Sequence, residues 1–90
     1  MNKGEFVFGF IGAGTEFLRA ELLAGLTRAR IAQNATTESK KERNRIEARK
    51  AYDTILRFLP QTPLSQEDEE QIHFKLAELK FELLSLGEDV

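Results

Sequence analysis

Apolar side chains recur every three or four residues along most of this chain, which is the spacing of one face of an α-helix. The clearest run lies in the last third, where the spacings are four, three, four and three residues: Ile72, Leu76, Leu79, Leu83 and Leu86. A second run, from Ile46 to Leu59, and a third, from Leu18 to Ala29, follow the same period. The pattern therefore predicts an all-α protein.

Two breaks divide these runs into three helices. The segment 34–37 is rich in residues that favour caps and turns, and the prolines at 60 and 63 prevent a helix from continuing. Ser65 is suited to cap the third helix, and Thr36 or Thr37 to cap the second. We expect helices at about 4–33, 37–59 and 65–86, folded up-down-up into one three-helix bundle that spans 1–90 as a single domain.

The apolar face of each predicted helix supplies the expected core. Its members are Leu18, Leu22, Leu26, Ala48, Tyr52, Ile55, Leu59, Ile72, Leu76, Leu79 and Leu83. Small residues in the first helix, among them several glycines, would let a neighbouring helix approach closely.

The first fourteen residues have more than one interpretation. Phe6, Phe8 and Phe10 alternate as in a strand, and Gly12 and Gly14 resemble the start of a dinucleotide-binding loop. However, bulky Phe17 stands at the third glycine position of that motif, and the chain has no room for a parallel sheet. A secretory signal is disfavoured by an acidic residue before the apolar run and by a helical period that continues past it. We favour a helix that begins near residue 4.

The predicted third helix has a second apolar face, opposite its leucine stripe. Phe74 and Phe81 lie about 180–200° from Ile72, with Ala77 and Leu84 close by. A helix with two apolar faces has to be covered on both. Either the phenylalanine-rich start of the first helix, with Phe6 and Phe10, covers this face, or a second chain does.

Charge is distributed unevenly along the chain, although the formal net charge is only -2. Basic residues cluster at 40–50, and acidic residues dominate 61–90. Lys41, Arg45 and Arg49 fall on one helix face, which suggests phosphate contacts in a nucleic acid. Acidic residues interleave with them, however, and no aromatic residue lies between Thr36 and Ala51 to stack a base. Attraction between the basic middle and the acidic end of the same chain is the simpler interpretation.

Little in the sequence points to a reaction. There is no Cys, and His73 is the only histidine, which excludes a thiol nucleophile and a His/Cys zinc site. No nucleophile stands beside a base at a useful spacing. We therefore expect no enzyme activity, no cofactor, no metal and no small-molecule substrate.

The segment Ala48–Pro60 resembles the second helix of a tetratricopeptide-type helical hairpin. Ala48, Tyr52, Ile55 and Pro60 match its small–aromatic–small–proline pattern, with Ile55 where a small residue is usual. The first-helix signature of that family is absent. The chain is also similar in outline to three-helix bundles of the microtubule-interacting-and-trafficking type and to small bacterial helical proteins, and the latter resemblance implies no activity.

Together these features predict a non-enzymatic protein-interaction or scaffold module. We expect it to form a homodimer through Phe74 and Phe81 or through the phenylalanine-rich N-terminus. The alternative is a small nucleic-acid-associated protein that uses the basic start of the second helix. The lack of Cys, and of a convincing signal segment, favours a cytoplasmic location without membrane contact.

Overall fold

The computed structural model describes the backbone of residues 3–90 and the side chains of residues 14–90. It contains three α-helices: α1 is Lys3–Asn34, α2 is Glu38–Phe58 and α3 is Gln66–Ser85. A single 3₁₀ turn, Leu59–Gln61, follows α2. These bounds confirm the predicted all-α bundle to within one or two residues, and the described backbone contains no strand.

The helix starts follow from local side-chain hydrogen bonds. Thr37 caps α2, where its Oγ1 accepts a hydrogen bond from the N–H of Lys40 at 3.2 Å. Ser65 caps α3 in the same way, with Asp68 as the donor at 3.1 Å. Each cap satisfies a backbone N–H that has no partner inside the helix. Ser65 and one of the two threonine candidates were expected from the sequence.

Contacts between helices fix their directions. Along α1, Arg19 binds Asp68 at 2.7 Å, and Gln33, fourteen residues later, donates to Glu82 at 3.2 Å. The two helices therefore run parallel. Phe17 near the start of the described part of α1 stacks edge-on with Phe58 at the end of α2, with ring centroids 5.7 Å apart. This contact makes α2 antiparallel to α1, so the topology is up-down-up, as predicted.

The core lies along the common axis of the three helices. Its buried members are Leu18, Leu22, Leu26, Ala29, Ala48, Tyr52, Ile55, Ile72, Leu76, Leu79 and Leu83. Every predicted core residue is among them except Leu59, which is half-buried and packs against the edge of this cluster. Leu59 belongs to the 3₁₀ turn rather than to α2, so its side chain lies at the end of the bundle.

The C-terminus of α3 redirects the chain toward α2. Gly87 has φ +90°, the left-handed conformation that glycine adopts without steric cost. The N–H of Glu88 donates to the carbonyl of Leu83 at 2.9 Å, and the N–H of Gly87 donates to that of Leu84 at 3.0 Å. This pair of hydrogen bonds is a Schellman motif, and it brings residues 88–90 back over the bundle.

Candidate functional site: the outer face of α3 and the basic face of α2

The outer face of α3 is open to solvent. Phe74 is 72% exposed, Phe81 is 68% exposed and Leu84 is 50% exposed. Ala77, between the two phenylalanines, is exposed as well. We call these four residues the outer seam. The two exposed Phe side chains lie on one helix face, and a contiguous apolar surface commonly marks an association site.

The sequence encodes the outer seam with the same period as the core. Its four members are spaced three, four and three residues apart, while the buried stripe from Ile72 to Leu83 has spacings of four, three and four. Both are the a/d spacing of a helix that packs against another helix. The two stripes are about 160° apart around α3, so the helices that cover the first leave the second uncovered.

One alternative places the N-terminal phenylalanines Phe6 and Phe10 over the outer seam, and their side chains lie outside the described part of the chain. The described side chains of α1 begin at Gly14, which is level with Thr62 in the α2–α3 connection. A Cβ added to Gly14 would lie 3.1 Å from Cγ2 of Thr62.

The basic face predicted on α2 is largely occupied by carboxylates of the same chain. Arg45 and Arg49 both bind Glu88, the latter at 3.1 Å. Arg49 also binds Asp53 at 3.0 Å, and Arg45 lies 3.8 Å from Glu42. Hydrogen bonds to Asp53, and then to Glu88, raise the pKa of Arg49 above its ordinary value. The expected attraction between the basic middle and the acidic end is thus present as a specific cluster.

Lys41, the third member of that basic face, does not join the cluster. Its side chain is half-buried near the start of α2, one turn before Arg45. The sequence grouped Lys41, Arg45 and Arg49 by helical spacing, and the structure brings Arg45 and Arg49 together at Glu88. The sequence did not indicate that Glu88, beyond the end of α3, would form ion pairs with Arg45 and Arg49.

A shallow groove between α1 and α3 was not anticipated from the sequence. Leu22, Leu26 and Ile72 contribute to its apolar lining, and its cationic residues come from both helices: Arg19, Arg30 and Lys75. Its volume of about 220 Å³ is smaller than the ~300–1,000 Å³ of a typical small-molecule site. Glu78 lies 3.5 Å from Lys75 and 3.9 Å from Arg30, so these cations have carboxylate neighbours.

Asn44 is a second feature that the sequence reasoning missed. It is the one buried polar residue among the described side chains, and its amide both donates and accepts a hydrogen bond. Nδ2 donates to the carbonyl of Lys40 at 2.8 Å, and Oδ1 accepts from Arg28 of α1 at 3.1 Å. The sequence did contain a sign of this role, because Asn44 lies at helical spacing from the apolar residues Ala48, Ala51 and Ile55 of the buried face.

The remaining chemistry in the described part of the chain is sparse. His73 is exposed, with Nε2 3.8 Å from Oε1 of Glu69. No group of three potential metal ligands comes together among the described residues. Within those residues, no helix combines the length and the apolar character needed to cross a bilayer.

Comparison with known proteins found no matching family model, no similar curated protein and no similar solved structure. The outer seam and the Arg45–Arg49–Glu88 cluster are the two features of the described residues that bear on function.

Proposed function

We propose that this protein is a non-enzymatic association module that forms a homodimer through the outer seam of α3. The observation that carries this proposal is the solvent exposure of Phe74 and Phe81 at the spacing of a helix-packing stripe. Covering them removes apolar surface from water, and this is the main source of free energy in protein association. The resemblance of Ala48–Pro60 to a tetratricopeptide-type helix supports a scaffold role in general terms.

A second copy of the same helix is a suitable partner because the seam is complementary to itself. When two α3 helices pack antiparallel, Phe81 faces the partner's Ala77 and Phe74 faces the partner's Leu84. Each large side chain then meets a smaller one, as in well-packed helix interfaces. A two-fold interface of this kind uses one patch on both subunits.

The size of the seam sets the expected strength of the dimer. A Phe side chain buries about 150–250 Å² when fully covered, so the seam supplies on the order of 400 Å² per protomer. Standard interfaces bury about 800 Å² per partner. We therefore expect a reversible dimer whose population rises with protein concentration.

Light scattering over a concentration series tests the proposal directly. The expected result is a mass that rises from that of the monomer toward that of the dimer, at both low and high salt. Apolar association is not weakened by salt screening, whereas ion-pair association is. A monomer mass at every concentration would contradict the proposal.

The structure gives less support to nucleic-acid binding through Lys41, Arg45 and Arg49. Phosphate binding requires cations that can exchange small counterions for the backbone. Arg45 and Arg49 already bind Glu88, and Asp53 occupies another position beside Arg49. Salt-dependent binding of DNA or RNA by the unmodified chain, lost when the three cations are changed to Ala, would favour this alternative.

A further inference from the structure

The C-terminal residues Gly87–Val90 occupy a defined place on α2. Each carboxylate oxygen of Glu88 accepts a hydrogen bond from a different arginine. Arg45 donates to Oε2, and Arg49 donates to Oε1. The Glu88 side chain is only 11% exposed, which is low for a carboxylate near the end of a chain. Arg49 also donates to the backbone carbonyl of Asp89 at 3.2 Å, so main chain and side chain are bound together.

The apolar end of the same segment has a place of its own. Val90 is partly buried and packs against the edge of the core. Between Glu88 and Val90, the side chain of Asp89 is exposed. The three residues of the segment therefore lie in different environments. The Glu88 carboxylate is largely buried between two arginines, Asp89 is exposed, and the aliphatic side chain of Val90 is partly buried.

The two arginines are held in position by α2 itself. Asp53 receives hydrogen bonds from Nε of Arg49 through both of its oxygens, at 3.0 and 3.2 Å. Glu42 lies 3.8 Å from Arg45, one turn earlier. Because Asp53 belongs to α2, the Arg49 guanidinium has a hydrogen-bonded partner that does not depend on residues 87–90. A preoriented arginine loses less conformational freedom when it binds a carboxylate.

We propose that Arg45, Arg49 and the neighbouring core edge form a binding site for a short acidic peptide, and that residues 87–90 are its occupant in cis. The ligand class is a Glu followed two residues later by an aliphatic side chain. An acidic peptide of that form on a partner protein exchanges with the resident segment. This site is separate from the outer seam, so either proposal can fail alone.

Exchange is possible because few contacts hold the segment: the ion pairs of Glu88, one hydrogen bond to the carbonyl of Asp89 and the packing of Val90. Segments with few buried contacts open at a fraction of the free energy of global unfolding. The resident segment has the advantage of its tether, which gives it an effective concentration in the millimolar range. A segment docked about 90% of the time lowers the apparent affinity for a competing peptide about tenfold.

The test uses full-length chains and a labelled peptide, Leu-Gly-Glu-Asp-Val, which copies residues 86–90 and carries a C-terminal amide. Glu88→Lys places a cation beside Arg45 and Arg49 and so expels the resident segment. Asp89→Lys is the matched control, since it makes the same change of charge at the next residue but leaves Glu88 docked. Fluorescence anisotropy should show at least about tenfold tighter peptide binding by Glu88→Lys than by Asp89→Lys.

Two further variants connect the binding to the site. Adding Arg49→Gln to Glu88→Lys should abolish the tighter binding, and a peptide with Gln in place of Glu should bind neither protein. If Glu88→Lys is poorly folded by circular dichroism, Glu88→Gln is the replacement, because it keeps the side-chain shape while it removes the charge. Equal binding by the variants at positions 88 and 89, or binding that survives the loss of Arg49, would overturn the proposal.

Discussion

Gly25 of α1 lies directly against Leu79 of α3. A Cβ added to Gly25 would be 2.8 Å from Cδ2 of Leu79, and it would also be 3.1 Å from Cβ of Ala51 in α2. Gly25 therefore lies where α1 meets both of the other helices. It lies inside a helix, where glycine is normally unfavourable, because the packing leaves no room for a side chain.

We expect Gly25→Ala to destabilise the protein, although alanine is the better helix former by about 1 kcal/mol. Leu79 can adjust its flexible end, but Cβ of Ala51 is fixed to the backbone of α2. Overpacking of this kind costs about 1–3 kcal/mol, which exceeds or cancels the gain in helix propensity. The measurement is the free energy of unfolding from urea titration.

Gly14→Ala is the matched control for that change. Among the described residues, its added methyl would meet only Cγ2 of Thr62, at 3.1 Å, in the α2–α3 connection. A loop residue can move by the few tenths of an ångström that are required. The gain in helix propensity from replacing glycine with alanine should therefore not be offset by overpacking, and Gly14→Ala should be neutral or stabilising. Equal losses of stability at both positions would contradict the packing argument.

Asn44→Ala should destabilise the packing of α1 on α2. The substitution removes the acceptor of the Arg28 guanidinium and a donor to the carbonyl of Lys40 from the buried face of α2. Arg28 is exposed and binds water instead, so we expect the loss of these hydrogen bonds to cost about 0.5–1.5 kcal/mol. The change can be measured by thermal unfolding, with Ser39→Ala, an exposed substitution in the first turn of α2, as the control. A melting temperature equal to that of the unmodified chain would show that the amide has no structural role.

The helices and the core could be predicted because each depends on local sequence. Ser65, Thr37 and the prolines act on the backbone within a few residues of their own positions, and the leucine stripe of α3 reflects burial directly. Leu59 was misplaced only because the helix ends one residue before it. Propensity and periodicity agree over most of α2 and α3, which is the condition for a successful prediction.

The contacts of Glu88 could not be predicted in the same way. They depend on the left-handed turn at Gly87, just past the predicted end of the third helix, and on how closely that turn approaches Arg45 and Arg49 of α2. The general attraction between the basic and acidic parts of the chain was visible in the composition. Which carboxylate reaches which arginine is a matter of tertiary geometry.

Phe81→Glu should lower the solution mass of the protein toward that of the monomer. The change places a charge at the centre of the outer seam, where a dimer would have to bury it. Leu23→Glu on α1 is a close control, because Leu23 and Phe81 are each 68% exposed and the change of charge is the same. If Leu23→Glu reduces the mass and Phe81→Glu does not, the interface lies on the α1–α3 groove instead.

Stability measurements at low protein concentration separate the two apolar faces of α3. Leu83 is fully buried, so Leu83→Ala should cost about 2–5 kcal/mol of unfolding free energy through lost contacts and a cavity. Phe81 lies only two residues earlier but points to solvent, so Phe81→Ala should change the free energy of the monomer by less than about 0.5 kcal/mol. At high concentration Phe81→Ala should become destabilising, since dimerisation stabilises the folded state by mass action. A large loss at low concentration would instead identify Phe81 as part of the monomer core and remove the basis for the proposed dimer.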